Sequence, residues 1–153
     1  MGFFNYQDAI KLTSGNVVVT IAGRNYNIIE AEEVNAKVTL NKEEQMALGR
    51  TFKGHKVTSL SGAGTLNVKH VSSMWSKAVE TFKNKGTFPE MSITGTMDDP
   101  TSSAGKQVVK ITGVIPDEIT LFTLGASDGI AMNEMGFTFE DYAVTSAFKD
   151  IKR

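Results

Sequence analysis

The sequence predicts a mostly β fold, a β-sandwich or barrel-like core, with one packed α-helix. Three observations predict it. Val, Ile and Thr make up 39 of the 153 residues, and β-branched side chains favour the pleated, half-buried surface of a sheet. Several segments alternate apolar and polar residues at the period of a strand, and only one repeats at the period of a helix. The chain has 73 apolar residues when glycine is counted, the makeup of an ordinary soluble globular protein. Its length is enough to bury a core without a disulfide or metal staple. No repeat, low-complexity tract or linker interrupts it, so one domain spanning residues 1–153 is expected.

In chain order, the first strands are expected at Val17 to Ile21 and Tyr26 to Glu32, with Ala22-Gly23-Arg24 between them as a tight hairpin. Val34 to Asn41 is the clearest strand: Val34, Ala36, Val38 and Leu40 alternate with Asn35, Lys37, Thr39 and Asn41. Strands are also expected at Lys56 to Leu60 and Thr65 to His70, with Gly62-Ala63-Gly64-Thr65 as a turn before the second. From Ser72 to Lys85, Met74, Trp75, Ala78, Val79 and Phe82 form one apolar helical stripe. Ser72 or Ser73 can cap its start, Lys83 and Lys85 suit the negative end of its dipole, and Gly86 supplies a left-handed stop.

Beyond the helix, Met91, Ile93, Gly95 and Met97 alternate with Ser92, Thr94 and Thr96 in a second clear strand. Asp98 to Lys106, DDPTSSAGK, is a loop, because Pro100, Ser102, Ser103 and Gly105 all favour turns. Further strands are expected at Gln107 to Val114, Glu118 to Leu124 and Met132 to Tyr142, with Phe137 and Phe139 facing the core. Lys42 to His55 stays open between two readings. Asn41 with Glu44 resembles a capping box and Gly49 could close a short helix; equally, the segment could be a long arm protruding between two strands. Loops of this length in compact domains are usually functional or disordered.

The formal net charge of −1 argues against a dedicated nucleic-acid binder, which needs a basic excess to displace counterions from phosphate. MGFFNYQDAI has neither the basic n-region nor the apolar core of a signal peptide, and no apolar run is long enough to cross a bilayer. No stable membrane association is expected. The absence of cysteine suits a reducing compartment and removes thiol catalysis and Cys-ligated zinc.

Chemical motifs are nearly absent. GRTFKGHK at Gly49 to Lys56 has two glycines at phosphate-loop spacing, but its lysine comes one residue late and no Ser or Thr follows. His55 and His70 lack partners at metal-ligand spacing. The adjacent acids Glu32-Glu33, Glu43-Glu44, Asp98-Asp99 and Glu140-Asp141 point to opposite faces if on strands, so they cannot share a proton. No nucleophile elbow is present. An enzyme is therefore not expected, nor a cofactor or a metal.

Several segments taken in order carry a resemblance. GRTFKGHK, GAGT at Gly62 to Thr65, the helix ending NKG at Gly86, DDPTSSAGK from Asp98, and FTFEDY at Phe137 to Tyr142 together resemble the PBSX-like family of phage tail tube proteins. The resemblance covers residues 14–147 and leaves Gly2 to Lys11 unaligned. It implies a fold like that of the type VI secretion tube, with subunits joined in hexameric rings stacked as the inner tube of a contractile phage tail or phage-tail-like bacteriocin. The partners it implies are further copies of the chain and the sheath, tape-measure, baseplate and tail-terminator proteins. DNA would pass through the lumen without specific binding. Synthesis would be in the bacterial cytoplasm, followed by incorporation into a virion tail or released particle.

The resemblance makes Lys42 to His55 the loop that reaches a neighbouring subunit or ring, with Glu44, Met46, Leu48, Arg50, Phe52, Lys53, His55 and Lys56 as its self-assembly residues. In a tube that conveys DNA, basic groups on the wall would retain phosphate. The acidic strand face bearing Glu30 and Glu32 is therefore expected to line the channel in preference to Arg50, Lys53 and Lys56. Two rival readings have a distinct basis. One is a small β-barrel module that binds a peptide, sugar or oligonucleotide through Lys42 to His55. The other is an enzyme with carboxylates gathered in space, which would need a cleft with convergent, strongly perturbed acids.

Overall fold

The computed structural model describes residues 6–28, 31–70 and 73–149. Nine strands and one α-helix follow a short 3-10 turn at Tyr6–Asp8: β1 Gly15–Ile21, β2 Arg24–Asn27, β3 Ala31–Gln45, β4 Gly54–Lys69, α1 Met74–Lys85, β5 Met91–Asp98, β6 Lys106–Thr112, β7 Ile115–Pro116, β8 Met132–Phe139 and β9 Asp141–Ser146. They form a five-stranded sheet, ordered β2-β1-β5-β6-β9, and a four-stranded sheet, ordered β3-β4-β8-β7. All pairings are antiparallel.

The core lies between the sheets. Val19, Met91, Ile93 and Ile111 come from the larger sheet, and Leu66, Val68, Met135, Phe137 and Phe139 from the smaller. Trp75 and Ala78 of α1 join the same buried cluster. On β8 the strand period is plain, because Asn133, Met135, Phe137 and Phe139 are buried while Glu134 and Thr138 are exposed.

The hairpin expected after Ile21 is a two-residue turn. Ala22 and Gly23 both take positive φ, 51° and 83°, and Ile21 pairs with Arg24, the combination that matches the right-handed twist of the flanking strands. Gly86 ends α1 at φ 76°, its N–H donating to the carbonyl of Phe82 at 2.8 Å. The helix begins differently from expectation: Ser73 makes no side-chain cap, and Ser72 lies outside the described residues. Phe82 is half-exposed and not part of the buried stripe.

Five strand assignments change. Lys56–Leu60 and Thr65–His70 belong to one continuous strand, and GAGT lies inside it, not in a turn. The reason is close packing across the sheet: Gly62 pairs with Phe139 and Gly64 with Phe137, and a Cβ on either glycine would strike the facing ring. Glu118–Leu124, expected as a strand, is irregular. β7 is a two-residue edge strand ending at Pro116, which has no N–H to offer a ladder, and no further strand lies beyond it. Met132–Tyr142 divides at Glu140, where the chain passes from the four-stranded to the five-stranded sheet. Tyr26–Glu32 ends as a strand at Asn27; β3 starts at Ala31, and Ile29 and Glu30 lie outside the described residues, so the Glu30 part of the channel-lining expectation does too.

Candidate functional site

The feature that leaves the globular body is the β3–β4 hairpin. β4 pairs with β8 only as far as Gly62, opposite Phe139, while β3 and β4 stay paired to Gln45 and Gly54. Residues 54–61 therefore extend the ribbon by about 25 Å at the strand rise per residue. Lys42–Gln45 and Gly54–His55 are strand, so the short-helix reading of this segment is overturned and the arm reading holds.

Two bulges shape the ribbon. Near its base the register shifts at Glu32, and halfway out Asn41 pairs with Ser59 while Lys42 pairs with Val57, leaving Thr58 as the extra residue. Thr58 Oγ1 donates to the Asn41 carbonyl at 3.1 Å, and Asn41 Nδ2 donates to Ser59 Oγ at 3.0 Å. The bulge adds twist to the arm and places Val57 on the face that carries Leu40 and Leu60. Those three apolar side chains are exposed. Sequence alternation put Leu40 on the apolar face of its strand, but the opposing sheet does not extend this far out.

The residues expected to mediate self-assembly gather at the far end of the ribbon. Glu44 faces His55 across the ribbon; Lys53 Nζ lies 3.4 Å from its Oε2 and His55 Nε2 3.8 Å from its Oε1. These three fix the loop at the tip, although at such exposure the Lys53 pair contributes little to stability. Lys56 stands opposite Glu43 on the other face. Residues 46–53 form the tip, where Met46, Leu48 and Phe52 are 62%, 104% and 83% exposed. Arg50 has no ionic partner among the described residues.

Sequence reasoning missed two further apolar surfaces. The irregular segment between β7 and β8 exposes Leu121, Phe122, Leu124 and Ile130 and includes the stretch expected as the strand Glu118–Leu124. β9 is an edge strand exposed along its whole length, with Tyr142 and Val144 half-exposed. Large exposed apolar patches mark interaction sites, whereas scattered exposed hydrophobics are ordinary.

Arm residues line neither of two shallow clefts beside α1. One, of about 470 Å³, lies between α1 and the β7 segment. The other, of about 630 Å³, lies between α1 and the β1–β2 turn, where Arg24 sits 5.5 Å from the Tyr26 ring centre. Asp8 and Asp99 are held below the usual carboxylate range, Asp8 chiefly by the Ser103 hydroxyl and Asp99 chiefly by the Thr101 hydroxyl. Neither lines either cleft. Asp8 Oδ1 accepts from Ser103 N and Oγ at 2.8 and 2.7 Å, and buried Asp99 accepts from Thr101 N and Oγ1 at 2.9 and 2.6 Å and from Lys11 N at 3.1 Å. Both are staples that tie the amino-terminal segment to the DDPTSSAGK loop. Among the described residues there is no cluster of metal-ligating side chains, and no helix is long and apolar enough to cross a membrane.

Comparison with known proteins places this geometry in context. A family model described as phage tail tube protein matches residues 2–145. The phage-like element PBSX protein XkdM of Bacillus subtilis (strain 168) is 29% identical over 138 residues, covering 86% of this chain and 94% of that protein. Among solved structures, a chain of the PVC extracellular contractile injection system sheath-tube complex in the extended state matches with TM-score 0.67 at 14% identity, covering 91% of this chain and 93% of its own. A chain of the anti-feeding prophage baseplate, 6-fold symmetrised, matches with TM-score 0.66 at 10% identity, covering 86% and 91%. At these identities the structural likeness is one of fold.

Proposed function

The chain belongs to the phage tail tube protein family, and from that premise we propose that it self-assembles into hexameric rings stacked as the inner tube of a contractile tail. It is a structural subunit. In a phage or a phage-tail-like bacteriocin the tube would template the sheath and serve as conduit or needle. Six-fold rings agree with the 6-fold symmetry stated for the anti-feeding prophage baseplate, and a sheath partner with the sheath-tube complex that holds a similar fold. Baseplate, tape-measure and terminator proteins would complete the partners, and the whole chain would act as one domain.

The observation that carries the reading is the arm, a ribbon clear of the body that holds Met46, Leu48 and Phe52 in solvent. Burying three such side chains would contribute roughly 5–9 kcal/mol. Association costs about 4–15 kcal/mol in lost freedom, so one arm contact scarcely balances it. Stable assembly needs the other exposed surfaces and a closed ring, in which each subunit is held on two sides. This difference suits a subunit that must stay soluble until a nucleus forms.

Replacing Glu44 to Lys53 with a Gly-Ser turn tests the role of the arm. Sedimentation velocity should show a folded monomer that stays monomeric at concentrations where the parent protein assembles. Tubes from the shortened protein would mean that the arm is not the contact.

A further inference from the structure

The cleft between α1 and β7 has a surface matched to the arm tip. Its apolar lining includes Phe82, Phe88, Ile115 and Ile119, and its charged members are Asp117 and Glu118, with no basic side chain among the lining residues. Phe82 and Ile115 are half-exposed and both acids are exposed. The arm tip has the reverse character: Leu48 and Phe52 in solvent beside Arg50, which has no ionic partner among the described residues. At about 470 Å³ the cleft is of ligand-pocket size and can take more than one large side chain.

Topology prevents a chain from filling its own cleft with its own arm. β3 and β7 are opposite edges of the four-stranded sheet. β7 pairs with Phe137 and Thr138, at the end of the sheet where the arm begins, and the tip stands about 25 Å beyond that end. Complementary surfaces at opposite edges of one sheet are heterologous: each copy gives one arm and receives another, the arrangement that closes into rings.

We propose that the arm tip of one copy docks in the α1–β7 cleft of a second copy, Leu48 and Phe52 entering the apolar floor and Arg50 meeting Asp117 and Glu118. The proposal rests on the self-assembly reading and adds the receiving site. Its charge pairing supplies register and steering more than affinity.

The chain has no cysteine, which makes the test direct. Phe52→Cys and Glu118→Cys proteins are mixed in equal amounts, assembled with tail initiators if needed, and treated with a short bismaleimide. A covalent dimer from the mixture, and from neither protein alone, is expected. Where Phe52→Cys does not assemble, Thr51→Cys gives the same readout. In parallel, Arg50→Glu should abolish pelletable tubes and Glu118→Lys should restore them in that background. Assembled tubes that give no cross-link would overturn the docking and leave self-assembly intact. A parent protein that never assembles, even with initiators, would overturn the underlying reading and the docking with it.

Discussion

Gly64 offers a test of the close packing at the root of the arm. It lies on extended backbone, so alanine meets no conformational penalty there. Its added Cβ would overlap the Asn35 carbonyl oxygen and lie 2.5 and 2.8 Å from two atoms of the Phe137 ring. Phe137 is fully buried and the carbonyl belongs to the sheet, so neither can retreat cheaply. Overpacking of this kind costs about 1–3 kcal/mol, and the lost freedom of the unfolded chain returns about 0.4–1 kcal/mol. At the middle of these ranges Gly64→Ala should therefore be less stable by about 1.3 kcal/mol, a fall in Tm of roughly 3–5 °C for a domain of this size. Gly62→Ala should cost less, because the nearest atoms it would strike all belong to the ring of Phe139, a side chain at the edge of the core, and not to backbone. Gly95→Ala, also extended but with nothing within 4 Å, should gain about 0.4–1 kcal/mol. Urea melts of dilute protein, followed by fluorescence of the single tryptophan, Trp75, measure all three. A Gly64→Ala protein as stable as its parent would refute the argument.

Three further outcomes are expected. The Trp75 ring is buried, with its N–H lacking a hydrogen-bond partner among the described residues; Trp75→Phe should leave stability nearly unchanged by thermal melting, whereas Trp75→Ala should lose about 3–5 kcal/mol. Asp8 and Asp99 have folded pKa values below the ordinary 3.8, so their staples are fully in force above that value and weaken as pH falls through the lowered ones. Hydrogen-exchange protection factors at Lys11, Thr101 and Ser103 should fall as pH drops below 3.8, and Asp99→Ala should lower them at Lys11 and Thr101 at neutral pH. Leu48→Ser with Phe52→Ser should shift the monomer's stability by less than about 0.5 kcal/mol per site, as expected of exposed positions, yet reduce the mass that pellets as tubes.

Much of the fold was legible because its signals are local. The strand alternation of Val34–Asn41 and Met91–Met97, the helical stripe around Trp75 and Ala78, the Gly86 stop and the Ala22-Gly23 turn each lie within a few residues. The misreadings came from partners distant in sequence. Gly62 and Gly64 look like turn residues until Phe139 and Phe137 are seen to lie over them. Glu118–Leu124 reads as a strand but has no ladder partner among the described residues. Of the site, the arm's position and its exposed Met46, Leu48 and Phe52 could be read from an overlong polar segment, while the Glu44–Lys53–His55 cluster and the Thr58 bulge depend on cross-strand register. The apolar segment at Leu121–Ile130 was missed because an exposed hydrophobic residue looks like a core one in a sequence.

The central claim is self-assembly into a tube, and negative-stain electron microscopy of the purified protein, concentrated and supplied with tail initiators, tests it most directly. The account predicts six-membered rings or hollow tubes of uniform width. A strictly monomeric field under those conditions would contradict it.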